Sequence, residues 1–229
     1  MNLAIIGYGK MGHMIELLAP AAGFTICARF DSKTNSNATP LTRESLNGAQ
    51  VAIEFTQPST APTNIERLAS AGVNIVCGTT GWHSELPRVR KAVELAGVSL
   101  VWSRNFSVGV NIFTRVVNEA ARLLESQPDF GAWAWELHHS AKKDAPSGTL
   151  LQLVEGMQQA GYKRPVSVSS SRAGSHPGEH EIGFDSQSDT ITLRHSARNR
   201  EGFARGALLA AKWAMGRRGV YEFGDVLFG

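Results

Sequence analysis

Leu-Ala-Ile-Ile-Gly-Tyr-Gly-Lys-Met-Gly, residues 3–12, is a short apolar run that breaks into a G-x-G-x-x-G turn. A helical pattern through Met14, Ile15, Leu17 and Leu18 follows, as far as Gly23. Strand, glycine turn and helix in that order open a dinucleotide-binding unit. Gly7 permits the tight turn, Gly9 lets backbone approach a pyrophosphate, and Gly12 lets helix and strand pack closely. Phe24 to Phe30 reads as a second strand ending at Asp31, about 20 residues past the glycines, where an acid accepts from a ribose 2′-OH. A carboxylate there repels a 2′-phosphate, and Ser32 rather than an arginine comes next, so NADH is the expected cofactor. Lys33 lies close enough to blunt that discrimination and leave NADPH usable.

Outward from this start the same alternation repeats. Residues 31–47 form a polar connection with room for one short helical turn. Strands are expected over 51–55, 73–77 and 98–102, with helices following the first two, up to about Ala71 and over 83–96. Five strands separated by helices make a doubly wound, Rossmann-type parallel sheet the economical α/β architecture. In such a sheet the ligand meets the carboxyl ends of the strands. The positions expected to face the dinucleotide are therefore Gly7, Tyr8, Gly9, Lys10, Met11, Gly12, Asp31, Gly78, Thr79, Thr80, Ser103, Arg104, Asn105 and Phe106. Phe55 and Thr56 also stand at a strand end.

After Asn111 the pattern changes. A helix over 112–124 carries apolar residues at Ile112, Phe113, Val116, Val117, Ala120, Leu123 and Leu124. A strand over 132–139 follows, then a helix over 150–160 and strands over 166–172, 179–184 and 190–196. Polar, glycine-containing connections join those three strands and suggest antiparallel pairing. This is a second, α+β region with a mixed or antiparallel sheet. An Ala-rich helix over 203–215 carries an Ala, Leu and Trp stripe suited to packing back on the first region. The expected division is 1–106 with 202–229 as the dinucleotide-binding domain, and 107–201 as the second domain.

The densest chemistry lies at Glu136 to Thr149, Glu-Leu-His-His-Ser-Ala-Lys-Lys-Asp-Ala-Pro-Ser-Gly-Thr. Imidazoles beside ammonium groups can donate a proton and hold an anion together. Ser-Gly-Thr at a helix start adds free backbone N–H groups suited to a carboxylate. Strand alternation places Glu136 and His138 on one face and His139 on the other. His138 and His139 are thus poorly placed to chelate one ion, and no other His, Cys, Asp or Glu set shows metal spacing, so no metal is expected.

Composition bounds the reading. The 229 residues are 42% apolar and 19% charged with a net charge of +3, ordinary for a globular protein and without the basic run that nucleic acid demands. Cys27 and Cys77 fall in apolar strand-like runs, the setting of reduced thiols, which fits a reducing cytoplasm. Neither a leader sequence nor a membrane-length apolar run is visible.

At Glu136 to Thr149 the sequence resembles the dihydrodipicolinate reductase (4-hydroxy-tetrahydrodipicolinate reductase) family of the diaminopimelate route to lysine. The family's Glu-x-His-His, its Lys four residues after the first His and its Asp-Ala-Pro-Ser-Gly-Thr are present as Glu136, His138, His139, Lys142 and 144–149. The likeness extends through residues 7–12, 55–58, 78–81, 105–111, 178–180 and 195–213. Glu54 stands where the family more often has Asp. By this resemblance His138 would be the proton donor and Lys142 the second catalytic group. His139, Gly148 and Thr149 would bind a small dicarboxylate substrate, and Arg200 is a further candidate. The resemblance also implies a substrate-binding and oligomerisation role for the second domain and a homotetramer. Two-domain dehydrogenases of the aspartate or homoserine kind share only the first domain's pattern. A pure NADH sensor would have no need of His138 and Lys142.

Overall fold

The computed structural model describes residues 1–31 and 40–229. It separates into two compact units, residues 1–107 with 201–229, and residues 108–200. Ser32 and Lys33, which bear on cofactor choice, lie outside the described residues, as do residues 34–39 of the 31–47 connection.

The first unit is built on a parallel sheet. In chain order its elements are β1 (Asn2–Ile6), α1 (Lys10–Leu18), β2 (Thr25–Phe30), β3 (Val51–Glu54), α2 (Ala61–Ser70), β4 (Asn74–Cys77), α3 (Leu86–Ala96) and β5 (Ser99–Trp102). The second unit follows with α4 (Val108–Leu124), β6 (Gly131–His138), α5 (Gly148–Gln159), β7 (Val166–Arg172), β8 (Glu179–Asp185) and β9 (Thr190–Ser196). The chain then returns to the first unit as α6 (Glu201–Ala214), β10 (Gly219–Glu222) and α7 (Phe223–Phe228).

Among the described residues the first sheet runs β10-β5-β4-β3-β1-β2, all parallel. Its central strands are continuous apolar runs because helices cover both faces. Leu3, Ala4, Ile5, Val51, Ala52 and Ile53 are fully buried. On one face Ile65 and Leu68 of α2 and Val89 and Val93 of α3 pack with Ala4, Ala52, Ile75 and Leu100. Each buried Val, Leu or Ile side chain among them contributes roughly 1.5–3 kcal/mol. On α6, Ala207, Ala210, Ala211 and Ala214 are buried to 0% exposure, their small side chains allowing close approach to α1 and the sheet. Trp213, expected in that stripe, instead stands half-buried against Tyr221 and Arg217.

The chain passes from β1 outward to β2 and then crosses to β3 on the other side of β1. That makes the β1/β3 junction the point where strand order reverses, and a crevice opens outside their carboxyl ends. The expected Rossmann-type sheet is present, with one strand more than the five foreseen. β10, four residues running straight into α7, is too short to show a period, and its pairing to β5 supplies what its pattern does not. The helix expected from His83 begins instead with a 3-10 turn at His83–Glu85, and α3 starts at Leu86 with Pro87 in its first turn.

The second unit's sheet runs β7-β6-β8-β9. β6 with β8 and β8 with β9 are antiparallel, but β7 pairs parallel with β6, so the expected β7–β8 hairpin is absent and the sheet is mixed. Phe113, Val117 and Ala121 of α4 and Leu150, Leu153 and Met157 of α5 pack with Ala134, Ile182 and Phe184 of the sheet. α4 starts four residues earlier than its apolar stripe suggested. Ile112, Val116 and Leu123, counted as core, are in fact exposed.

Candidate active site

Two clusters of expected site residues form, one in each unit. In the first, Gly7 has φ +92°, and a side chain there would collide with the Phe55 carbonyl. A Cβ on Gly12 would meet the Gly7 carbonyl, so both glycines are fixed by close backbone approach. Gly9 differs, because a Cβ there would meet nothing within 4 Å. That open space belongs to a cavity of about 310 Å³ lined by Gly9, Lys10, Met11, Gly12, Phe55, Thr56, Pro58, Gly78, Thr79 and Thr80. It sits where the strand order reverses and at the N-terminus of α1, whose free N–H groups suit a pyrophosphate. The residues present therefore fit a dinucleotide.

Beneath this cavity lies Glu54, fully buried at the end of β3. Its Oε2 accepts from Thr79 Oγ1 at 2.7 Å and from Cys77 Sγ at 3.1 Å, and its Oε1 accepts from Thr56 Oγ1. Thr79 Oγ1 in turn accepts from the Thr56 backbone N–H at 2.7 Å, joining the ends of β3 and β4. Glu54 and Pro58 were not assigned a site role from sequence, and Thr56 was placed only at a strand end. The Glu-Phe-Thr-x-Pro run after a buried strand was the available signal.

The other expected cofactor positions are distributed around the same strand ends. Tyr8 packs tilted against His13, ring centroids 4.1 Å apart, and donates to Glu16, which pairs with Arg29. Asp31 directly follows β2. Ser103 Oγ bonds the Asn105 backbone, and Arg104 is exposed. Phe106 departs from expectation: its ring is buried between Phe55 and Phe223, leaving only its backbone for a ligand.

The second cluster forms at the end of β6. Strand alternation puts Glu136 and His138 on one face, and the registers bring in partners that are remote in sequence. Glu136 lies opposite His180 of β8, and His138 opposite Arg172 of β7. Glu136 is fully buried. Its Oε1 accepts from the Ser147 N–H at 2.9 Å and from Arg172 Nη2 at 2.8 Å. Its Oε2 stands 2.7 Å from His138 Nδ1 and 3.8 Å from His180 Nε2. Burial opposes ionisation of Glu136, but the bonds from Ser147 and Arg172 outweigh it and bring the carboxyl down to about 2.

Burial also lowers His138 below the usual imidazole value; Glu136 opposes this, and Lys142 and Arg172 reinforce it. A charged His138 stabilised by its neighbours is thus not what the free site favours. Burial, with the nearby His138, takes His180 down to about 4. The ring edge of His138 bearing Nε2 faces Gly178, where a Cβ would lie 2.9 Å from that nitrogen.

Lys142 follows in the loop, its Nζ 2.8 and 2.9 Å from the two carboxylate oxygens of Asp144. Lys142 and the Gly148 N–H both hold Asp144 ionised, drawing its carboxyl below the ordinary range. Ser147 caps α5, its Oγ accepting from the Leu150 N–H at 3.2 Å and lying 3.3 Å from His180 Nε2. The helix begins two residues before its apolar pattern, so Gly148 and Thr149 are its first two residues with outward N–H groups. His139 lies beyond the strand, half-buried, its carbonyl accepting from the Lys142 N–H. Arg200 ends the second unit.

Among the described residues Glu136, His138 and His180 bring three possible ligand atoms within 4.8 Å of one another, a grouping that linear spacing concealed. Arg172 already pairs with the carboxylate at 2.8 Å, and His138 Nδ1 approaches it at ion-pair distance, 2.7 Å. Arg172 and His180 were given no site role from sequence because strand register, not spacing, delivers them, whereas Ser147 was read there as part of the helix-start turn.

Comparison with known proteins bears on both clusters. A family model described as dihydrodipicolinate reductase, N-terminus, matches residues 1–106, and its C-terminus counterpart matches 109–227. The 4-hydroxy-tetrahydrodipicolinate reductase of Methanosarcina barkeri is 33% identical over 263 residues, covering 99% of both chains. That of Christiangramia forsetii is 29% identical, covering 99% of this chain and 98% of the relative. Among solved structures, a dipicolinate-bound dihydrodipicolinate reductase from Paenisporosarcina sp. TG-14 aligns with a TM-score of 0.81 at 21% identity, covering 97% of each chain. An amine dehydrogenase from Mycobacterium smegmatis aligns at 0.65 with 9% identity over 98% of this chain and 95% of the other. At these identities the structural likenesses speak for the fold alone.

Proposed function

The chain belongs to the dihydrodipicolinate reductase family in both its halves, and on that premise we propose that it reduces 4-hydroxy-tetrahydrodipicolinate to tetrahydrodipicolinate with NAD(P)H, in the diaminopimelate route to lysine. The observation that carries this reading is the grip of Lys142 Nζ and the Gly148 N–H on the Asp144 carboxylate, beside His138. Donors that already hold one carboxylate are the donors a dicarboxylate substrate needs, and an imidazole stands next to them.

When bound, the nicotinamide would supply hydride to the electron-poor carbon of the conjugated cyclic imine that remains once the 4-hydroxyl has left as water, so that this hydride and one proton account for both added hydrogens. The chain's residues supply the rest. Lys142, the Gly148 and Thr149 N–H groups and the Thr149 hydroxyl take a substrate carboxylate in exchange for Asp144, and His139 adds a further contact. His138 delivers a proton from Nε2 to the adjacent ring carbon. Its lowered pKa leaves it neutral in the free site, and the arriving dianion raises it, so the acid is charged when substrate is present. On the first unit, the 7–12 turn receives the pyrophosphate, and 78–80 and the 103–106 backbone border the cofactor further along.

Asp31 favours NADH, with NADPH tolerated. We place the protein in the cytoplasm, as a homotetramer joined through the second unit. Exposed Val168 and Ile191 on its sheet support association. Neither nucleic acid nor membrane is a partner in this reading. No helix among the described residues is long and apolar enough to cross a membrane.

The test is a coupled assay with the condensation product of pyruvate and aspartate semialdehyde, run with each cofactor. NADH should be oxidised only when that product is supplied. His138→Gln should lower turnover roughly 100-fold with cofactor binding retained, as for loss of an acid catalyst. Unchanged turnover would remove His138 from its role. In the same assay Asp31→Ser should raise KM for NADH far more than for NADPH, and equal losses would refute the ribose contact.

A further inference from the structure

Resting on the reading of His138 as the acid, we propose that Glu136 is its positioning residue: the carboxylate holds Nδ1–H so that Nε2 alone carries the transferable proton, and the same carboxylate fixes the substrate-carboxylate end of α5. The geometry is specific. Glu136 Oε2 and His138 Nδ1 are 2.7 Å apart and both buried; the contact has ion-pair distance without the alignment of a hydrogen bond, and neither atom has a hydrogen-bond partner elsewhere among the described residues. A buried ionised oxygen this close to a ring nitrogen is stable only where that nitrogen carries a proton, which assigns it to Nδ1. The other carboxylate oxygen accepts from the Ser147 N–H at 2.9 Å, one residue before Gly148 and Thr149. One side chain therefore sets the orientation of the acid and the start of the helix meant to hold the anion.

Arg172 Nη2, 2.8 Å from Oε1, keeps that carboxylate ionised and bonds the Asp144 carbonyl, tying the Lys142 loop to the same hub. The charged and titratable groups around His138 are then Glu136 on its own strand, Lys142 and Asp144 in the following loop, Arg172 on β7 and His180 on β8. In the transfer the Nε2–H bond breaks and a C–H bond forms, using the electron pair that hydride addition left on the substrate. The imidazole is left neutral with its Nδ1 proton still on Glu136. Solvent then reprotonates Nε2.

The first test uses the intact wild-type enzyme with ¹⁵N-labelled histidine. Above its titration His138 should be the Nδ1–H tautomer, the minor form of free imidazole in water. An Nε2–H tautomer would overturn the proposal. The second test is Glu136→Gln. An acid catalyst is active below its pKa, so kcat falls as pH rises through that value. Removing the neighbouring negative charge lowers the pKa and should move this fall to lower pH, by about one unit. Turnover should drop roughly 100-fold while KM for NADH holds. A uniform loss of turnover with the pH limb unmoved would reduce Glu136 to a structural role and refute positioning. Wild-type enzyme inactive on the substrate would sink the reductase reading instead, while the tautomer measurement would still decide the assignment to Glu136.

Discussion

Gly178 leaves bare the ring edge through which His138 is proposed to act. It has φ +142°, and a methyl group there would lie 2.9 Å from Nε2. A flexible neighbour would swing aside, but this imidazole is held from behind by Glu136. Gly178→Ala should therefore cut turnover by about 10-fold or more while KM for NADH, set in the other unit, stays put. Wild-type turnover in that variant would mean Nε2 is not the reacting atom. At this scale the sequence was partly legible. Period-two alternation was enough to put Glu136 beside His138, and the glycine turn at 7–12 announced its own geometry. Invisible were the residues that a neighbouring strand presents, Arg172 and His180, and the burial that lowers the His138 pKa instead of raising it.

Among the elements, α5 shows how a cap and a site share residues. Ser147 is a side-chain N-cap, and its own N–H is spent on Glu136, so the helix start is locked to the end of β6. Ser147→Ala should cost about 1 kcal/mol, read as a lower urea midpoint at unchanged slope, because the Leu150 N–H loses its acceptor. An unchanged midpoint would show that the cap is not holding α5. Apolar periodicity located α5 but began it at Leu150, since Gly148 and Thr149 contribute nothing to a stripe. The same limit explains α4, whose first turn of Val108 to Asn111 reads as irregular while Ile112 and Val116 read as core. Patterns report what a helix can bury, and the neighbours decide which face does so. β7 makes the point for strands: its sequence was found, but its pairing with β6 rather than β8 rests on a crossover that no local signal encodes.

For the whole molecule, acid should be the weak condition. His180 binds its proton only near pH 4 when folded, against an ordinary 6.5, so the unfolded chain takes up more protons between those values. Stability from this group is complete above about 6.5 and is lost as pH falls toward 4. Glu136, at about 2 against 4.5, continues the loss below 4.5. Urea midpoints should decline from pH 7 to 4.5, and His180→Asn should flatten part of that slope, the rest coming from His83, His138 and His195, which burial also lowers. A level profile in the wild type would refute the burial of an uncharged His180. The overall plan, a Rossmann-type unit followed by a mixed-sheet unit, was readable because long apolar strands alternate with amphipathic helices.

β10 carries one last consequence. It pairs with β5 in register from Gly219 opposite Ser99, although the whole of the second unit's sequence is synthesised between them. On the ribosome, the nucleotide-binding half therefore emerges with β5 as an open border and must wait for almost the final residues of the chain before that border is closed. The 93 intervening residues, 108–200, can meanwhile collapse around their own core. Completion of the first unit's sheet thus comes after the second unit has been made, and a nascent chain stalled short of Gly219 would present β5 to any other strand within reach.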